Sequence, residues 1–240
     1  MLNILRNFYR RQMFFPGSFA LFFNPFYFAR KNLASAISEF SINIHGHLLD
    51  VGCGTKPYRS LFNVKSYQGL DIDSPLTRDL GVADDLYDGT VFPYHNETFD
   101  SALCNQVLEH VFNPDEFLGE INRVLKRGGK LLLTVPFVWD EHEQPYDYAR
   151  YSSFGLKALL GKNGFKIISH QRLAADATIL FQLTNAYLFK ITQRWPWLMK
   201  LLFTGTVMAT VNILGIVVGK ILPANPDLFL DHVVLAEKQS

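Results

Sequence analysis

An apolar strand that runs into Asp50, Gly52 and Gly54 can present backbone N–H groups to a ligand at close range. Glycine lets the chain turn tightly with no side chain in the way, and a helix starting just beyond would add its positive end. Some 17 residues after Gly54, the segment SYQGLDI ends in Asp71. That is the offset at which a carboxylate accepts hydrogen bonds from ribose hydroxyls in nucleotide-binding α/β units. The pair points to a ribose-bearing cofactor far more strongly than either part; the competing reading is an ordinary strand-to-helix turn and a solvated strand end. A dinucleotide is disfavoured, because Pro57 occupies the position of the third glycine in G-x-G-x-x-G.

A second group of reactive side chains lies in VWDEHEQPYDYARYSSFG, which follows the apolar run KLLLTVPF. Trp139, His142, Tyr146, Asp147, Tyr148 and Arg150 stand where a second substrate would enter. An imidazole titrates near neutral pH and suits general-base work, so His142 is the candidate to take a proton from an attacking hydroxyl. The alternative is that His142 only hydrogen-bonds its own loop. Asp147 and Arg150 either orient a polar substrate or pair with each other, and pairing is favoured for opposite charges so close in a loop. Cys53 and Cys104 fall in a turn and a strand, no spacing suggests metal ligands, and no metal is expected.

These residues need a scaffold that brings strand ends together. Apolar runs at 47–52, 66–72, 99–105, 130–137, 165–171 and 228–238 predict strands, and helical spacing covers 29–40, a stretch near 58–62, 114–125 and 154–164. Residues 73–98 read as irregular, and 126–130, with Gly128 and Gly129, as a turn. In the helix at 114–125, Pro114 comes first, acids early and Lys126 and Arg127 late, as the helix dipole favours. Strands alternating with helices imply a mainly parallel sheet covered on both faces, with ligands beyond the carboxyl ends of its strands.

Four segments in order, LLDVGCG, GLDID, FPYHNETFDSALCNQVLEHV and EINRVLKRGGKLLLTVP, resemble the class I S-adenosylmethionine-dependent methyltransferases, in the group related to ubiquinone and menaquinone methylases. The resemblance runs from about Gly46 to Phe165. It implies an α/β, Rossmann-like seven-stranded sheet with an antiparallel last strand, supplied by LFLDHVVLAEK, and S-adenosylmethionine as cofactor. Position by position, it puts the methionine end over the Asp50-to-Gly54 turn and the ribose on Asp71. It leaves Asp85 and Asp88 as alternatives for the adenine amino group, and sets Asn105, Gln106 and Val107 beside the sulfonium. Lys56 departs from the family, where a third glycine is common, and leaves the path of the turn open. Glu109 and His110 are tempting as a catalytic pair, but in the family this segment shapes the cofactor pocket. The P-x-D-Y-x-R-Y loop resembles methylases of bacterial cell-surface polysaccharide assembly, which implies O-methylation of a lipid-linked sugar. A quinone or other small molecule is the second acceptor, and a non-catalytic binding or scaffold protein the reading from another class.

The 240 residues carry a net charge of +1, too little to neutralise many phosphates, so nucleic acid is not expected as a partner. We divide the chain into an aromatic, basic arm (1–28), a cofactor-binding core (29–172), an apolar insertion (173–225) and a closing strand (226–240). The arm does not read as a secretory signal. Within the insertion, 201–219 has no charge, is flanked by Lys200 and Lys220, and as a helix would extend about 28 Å, near the thickness of a bilayer's hydrocarbon core. Because the strands before and after belong to one sheet, a lone crossing is impossible. The partner segment 175–193 contains Asp176, Gln182, Asn185 and Lys190, which suits an interfacial helix better than a spanning one. The expectation is a monotopic or re-entrant hairpin at the inner face of the cytoplasmic membrane; the alternative is a soluble cap on the core or a dimer contact. Gly215 and Gly219 have the G-x-x-x-G spacing of close helix contacts. The oligomeric state is left open.

Overall fold

The computed structural model describes residues 2–239; Met1 and Ser240, the outer ends of the expected arm and closing strand, lie outside the described residues. The strands are β1 (His47–Val51), β2 (Ser66–Ile72), β3 (Asp85–Tyr87), β4 (Phe99–Asn105), β5 (Leu125–Pro136), β6 (Phe165–Leu173) and β7 (Asp231–Lys238). The helices are α1 (Leu2–Phe14), α2 (Tyr27–Phe40), α3 (Pro75–Leu80), α4 (Pro114–Val124), α5 (Ser153–Lys162) and α6 (Thr178–Thr192), followed by α7, continuous over Trp197–Ile221 through a π-helical turn at Thr204–Met208. Two compact units result: 36–137, 141–171 and 232–240 make the sheet unit; 1–35, 138–140 and 172–231 make the helical unit.

In the sheet unit the strand order is β3-β2-β1-β4-β5-β7-β6. Strands β1 to β5 pair in parallel, and the last strand is antiparallel. Leu49, Val51, Leu70, Ala102, Cys104, Leu131, Leu133 and Val135 form the buried sheet layer, on which α4 sets Phe117, Leu118, Ile121 and Val124 and α5 sets Leu156 and Leu160. Near-continuous apolar runs are what a parallel strand covered on both faces requires.

Three sequence expectations change. The stretch at 58–62 is a 3-10 turn, Arg59–Leu61, rather than a helix. β2 begins at Ser66, so the chain has room for one turn, closed by Tyr58 and Phe62 as they bury their rings. The supposedly irregular stretch contains α3 and β3. α3 carries full start and stop signals: a capping box between Ser74 and Thr77, Pro75 at its first position and Gly81 at φ +58 after its end. Finally, 126–130 is no turn but part of β5, whose pairing with β4 shifts register between Phe99 and Ser101 in a β-bulge, with Gly128 at φ +71.

The helical unit buries polar groups and exposes apolar ones. Gln182 accepts from the Ala29 N–H (3.1 Å) and donates to the Pro25 carbonyl (3.0 Å). Asn212 donates to the carbonyls of Leu21 (3.0 Å) and Asn24 (3.2 Å), and Asn185 donates to Asn212 (2.9 Å) and to the Met208 carbonyl (3.1 Å). These three amides are fully or almost fully buried and tie the arm to α6 and α7. Gly215 and Gly219 let α6 approach: a Cβ on Gly215 would lie 2.9 Å from the Phe181 Cβ, and one on Gly219 2.7 Å from the Thr178 Cγ2. Outward face Trp197, Leu201, Leu202, Leu214, Val217 and Ile221. Among the described residues α7 is the one helix long and apolar enough to cross a membrane, and only 22% of its apolar window is buried.

Candidate cofactor and acceptor site

The glycine turn leaves β1 with Gly52 at φ +70 and Gly54 at φ +49, and both the Gly52 and Cys53 N–H groups donate to the Leu70 carbonyl of β2. A side chain on Gly52 would meet Val107 at 2.4 Å, so the turn and the segment after β4 are in intimate contact. Nothing lies within 4 Å of where a Cβ on Gly54 would be, which leaves this part of the turn open to a ligand. Lys56 takes a left-handed backbone conformation (φ +52) in place of a glycine. Its side chain crosses Gly69, where any Cβ would fall 2.2 Å from Lys56 Cε, and pairs with Asp84 at 2.6 Å; Asp84 also accepts from the Gly69 N–H. The path of the turn is thereby fixed by an ion pair.

A cavity at the turn is lined by Asp50, Gly52, Cys53, Tyr58, Tyr67 and Asn105, among others. Asp50 is buried, and burial pushes its carboxyl up to about 7, against the hydrogen bond from the Tyr67 hydroxyl (2.5 Å), which acts in the opposite direction. Cys53 and Cys104 are both buried free thiols, and burial pushes Cys53 up to about 12.

Asp71 stands at the end of β2, where one carboxylate oxygen accepts from the Gly54 N–H (2.8 Å) and the other from the Ile72 N–H (2.8 Å). It therefore holds the turn as well as facing the strand ends. The two alternatives for the next acid separate cleanly. Asp85 opens β3 and is engaged by Gln68 (2.8 Å) and Tyr94 (2.9 Å), whereas Asp88 follows the carboxyl end of β3, exposed, holding Thr90. Asn105 closes β4 and accepts from the Thr134 hydroxyl at 2.9 Å; Gln106, at φ +56, donates from its backbone to Thr134. A non-glycine residue held there is strained, and such strain recurs at functional sites.

The loop after β5 is organised by Asp147. Its nearly buried carboxylate is gripped by both terminal nitrogens of Arg150 (2.6 and 2.7 Å) and accepts from the His142 backbone N–H (3.0 Å). Burial alone would raise its pKa, but the Arg150 pair and the His142 amide outweigh it and hold the carboxyl at about 2. Asp147 and Arg150 thus pair, as the sequence favours, and the pair carries His142: its Nδ1 faces Asp147 at 3.2 Å. The His142 ring stands edge-on to His110, centroids 4.8 Å apart. His110 belongs to a 3-10 turn, Leu108–His110, which also holds the fully buried Glu109. The N–H groups of Tyr148 and Ala149 donate to the Glu109 carbonyl, pinning the loop over that turn. Tyr146 and Tyr148 project outward, the latter against Phe112. Trp139 falls in the helical unit, where it packs against Phe26. Sequence reasoning missed Tyr67 and the meeting of His110 with His142, since no local spacing announces either.

The family model described as a methyltransferase domain matches residues 49–133. Two uncharacterized proteins of Methanocaldococcus jannaschii are each 36% identical to the chain, over 93 and 90 residues, or 38% and 37% of it. These stretches span 44% and 40% of the relatives, less than half their length. Among solved structures, the [4+2]-cyclase SpnF superposes with a TM-score of 0.57 at 21% identity, covering 86% of this chain and 80% of that one. Phosphoethanolamine N-methyltransferase 2 of Haemonchus contortus, solved with S-adenosyl-L-methionine, gives 0.56 at 14% identity over 97% of this chain and 56% of that one. A SAM-dependent methyltransferase of Aquifex aeolicus gives 0.50 at 15% over 92% and 93%. Residues 49–133 match a methyltransferase domain and the sheet unit that contains them has the fold of solved methyltransferases, which supports S-adenosylmethionine as the cofactor. The residues present suit this cofactor: an open glycine turn and the carboxyl groups of Asp50, Asp71 and Asp88 match a ligand bearing a cation, ribose hydroxyls and an adenine amine.

Proposed function

We propose that this chain methylates an oxygen of a polar, lipid-linked acceptor, a sugar at the inner face of the cytoplasmic membrane. S-adenosylmethionine, when bound, supplies a methyl group on a positively charged sulfur. In this reading the Asp50-to-Gly54 turn takes the methionine end, and Asp71 accepts from the ribose with whichever lone pairs the Gly54 N–H leaves. Asp88, rather than Asp85, meets the adenine amine, because it stands at the carboxyl end of its strand. Asn105 and Gln106 flank the sulfonium. The acceptor enters over the loop of Tyr146, Asp147, Tyr148 and Arg150, and His142 removes its hydroxyl proton, held in place by Asp147. Positioning the acceptor in line with the transferred methyl supplies much of the rate.

The observation that carries the reading is the His110, His142 and Asp147 cluster, built on a turn that directly follows Val107, the residue packed against Gly52. Its charges favour a polar acceptor over a quinone. Membrane attachment is supported by the apolar outer face of the helical unit. The test is to incubate the purified protein with membrane extract and isotopically labelled S-adenosylmethionine and to weigh the product. A lipid-extractable glycan heavier by one labelled methyl is expected; a labelled quinone, or label only in water-soluble products, overturns the acceptor.

A second reading has one observation behind it: the cyclase SpnF shares this fold, so the fold alone does not dictate methyl transfer. Cofactor that binds but is never consumed by any membrane fraction would favour it.

A further inference from the structure

The sheet unit also assembles a set of donor atoms that no stretch of sequence displays. One donor atom each of Glu109, His110 and His142 lie within 4.8 Å of one another. Ligands about 2.0 to 2.2 Å from a shared ion are roughly 3.5 Å apart in a tetrahedron, so closing on an ion asks for side-chain rotations and no refolding.

The two imidazoles are prepared for this in the same way. His110 Nδ1 lies 2.9 Å from the Tyr146 carbonyl oxygen, which can only accept, so that nitrogen carries the proton. His142 Nδ1 faces the Asp147 carboxylate, which Arg150 keeps ionised, so it too carries a proton. In each ring Nε2 is therefore the nitrogen that would meet an ion, and His110 Nε2 faces Glu109 (3.8 Å) and Glu143 (3.7 Å). Holding the far ring nitrogen on an oxygen acceptor is how proteins fix the tautomer and raise the basicity of metal-bound histidine. Glu109 contributes a fully buried carboxylate on a turn that the loop itself clamps through its Tyr148 and Ala149 amides.

We infer that Glu109, His110 and His142 form an open binding site for one divalent first-row transition-metal ion. Two imidazoles and a carboxylate on one side suit zinc, cobalt, manganese or iron(II) better than magnesium or calcium, and leave positions free for an incoming oxygen. Glu143, exposed on the loop, stands close enough to add a fourth contact. The inference rests on the methyl-transfer reading only in letting the acceptor hydroxyl fill an open position, where the ion lowers its pKa and the proton leaves to solvent. With the ion bound His142 is a ligand and the ion activates the hydroxyl; in the metal-free protein His142 remains the base, and ion binding is measured without turnover.

The test uses the full chain, stripped with chelator, in two titrations. Cobalt(II) is followed by its visible absorption and zinc(II) by competition with a chromophoric chelator; S-adenosylmethionine binding is measured on the same samples. One ion per chain is expected, with His142→Ala and Glu109→Gln each weakening zinc binding at least tenfold. Asp147→Asn should weaken it about 10- to 100-fold, as loss of an outer hydrogen bond to a ligating histidine does. Circular dichroism separates loss of a ligand from loss of the fold. Absence of stoichiometric cobalt in wild type, or equal affinity in folded His142→Ala, overturns the site. In either case retained S-adenosylmethionine binding leaves the cofactor reading standing, whereas metal bound without cofactor reverses that outcome.

Discussion

The two units solve opposite packing problems. In the sheet unit Leu49, Val51, Leu103 and Leu133 are wholly or almost wholly inside, and the charged side chains at the strand ends meet one another. In the helical unit Gln182, Asn185 and Asn212 are inside, hydrogen-bonded to the arm, while Trp197 is 75% and Leu202 60% exposed. A water-soluble domain hides apolar surface; an element that meets lipid turns its polar groups inward and leaves apolar ones outside. The helical unit thus buries three amides beneath a helix whose outer face is apolar, the pattern on which the proposed membrane attachment rests.

The contrast can be broken most forcefully at α7. Ile213, Leu214 and Val217 face outward, whereas Ile216 packs inward beside Tyr27 and Phe28. Each arginine at the depth of a helix centre costs about 2.5 to 3.5 kcal/mol in a bilayer. The double variant Leu214→Arg, Val217→Arg is therefore expected to lose vesicle association by more than about a hundredfold in flotation, with cofactor binding retained. Wild type that fails to float with vesicles ends the membrane side of the comparison.

Next comes the loop. His142→Ala is expected to slow methyl transfer about a hundredfold, within the range for losing a general base, with unchanged cofactor affinity. Unaltered turnover would reduce His142 to a loop contact.

A smaller effect is expected at the turn. Gly52→Ala places a Cβ 2.4 Å from Val107 at φ +70, and should lower stability by about 1 to 3 kcal/mol, read as a fall in Tm. An unchanged Tm would mean the contact with Val107 is slack.

The smallest is a pH effect. Because the folded Asp50 carboxyl sits at about 7, above its value in the unfolded chain, the folded state binds the extra proton. Its contribution to stability is complete below about pH 4 and is lost as pH rises through about 7. Asp147 works the other way: held at about 2, its contribution is complete above about pH 4 and is lost as pH falls toward 2. Denaturant titrations of the ligand-free protein should show Asp50→Asn flattening the decline between pH 4 and 7 while leaving the acid limb in place. A wild-type curve already flat across that range would remove the raised Asp50.

What could be read in the sequence follows from range. Strands β1 and β2, the glycine turn and Asp71 are local signals, since their apolar runs, glycines and spacing lie within some 25 residues, and β4 is an apolar run of its own. β3 is invisible because three residues carry no periodicity, and α3 because its six residues are too few to show a helical period despite its caps. The turn at 126–130 misled because glycines that open a β-bulge resemble those that close a hairpin. Gln182 and Asn185 make 175–193 read as an interfacial helix although they face inward, which only the packing against the arm and α7 reveals. The His110 and His142 contact depends on a turn after β4 meeting a loop after β5, and no spacing encodes it.

The central claim is that the strand ends of the sheet unit bind S-adenosylmethionine through the Asp50-to-Gly54 turn and Asp71. Isothermal titration with S-adenosylmethionine addresses it directly, comparing wild type with Asp71→Ala and Asp71→Asn. Because Asp71 also accepts from the Gly54 N–H, the asparagine variant keeps an acceptor for the turn while losing the charge. We expect one cofactor per chain in wild type, a loss of about 1 to 3 kcal/mol in Asp71→Ala and a smaller loss in Asp71→Asn. Saturable binding absent from the wild type would contradict the account, and wild-type affinity in both variants would remove Asp71 from the cofactor.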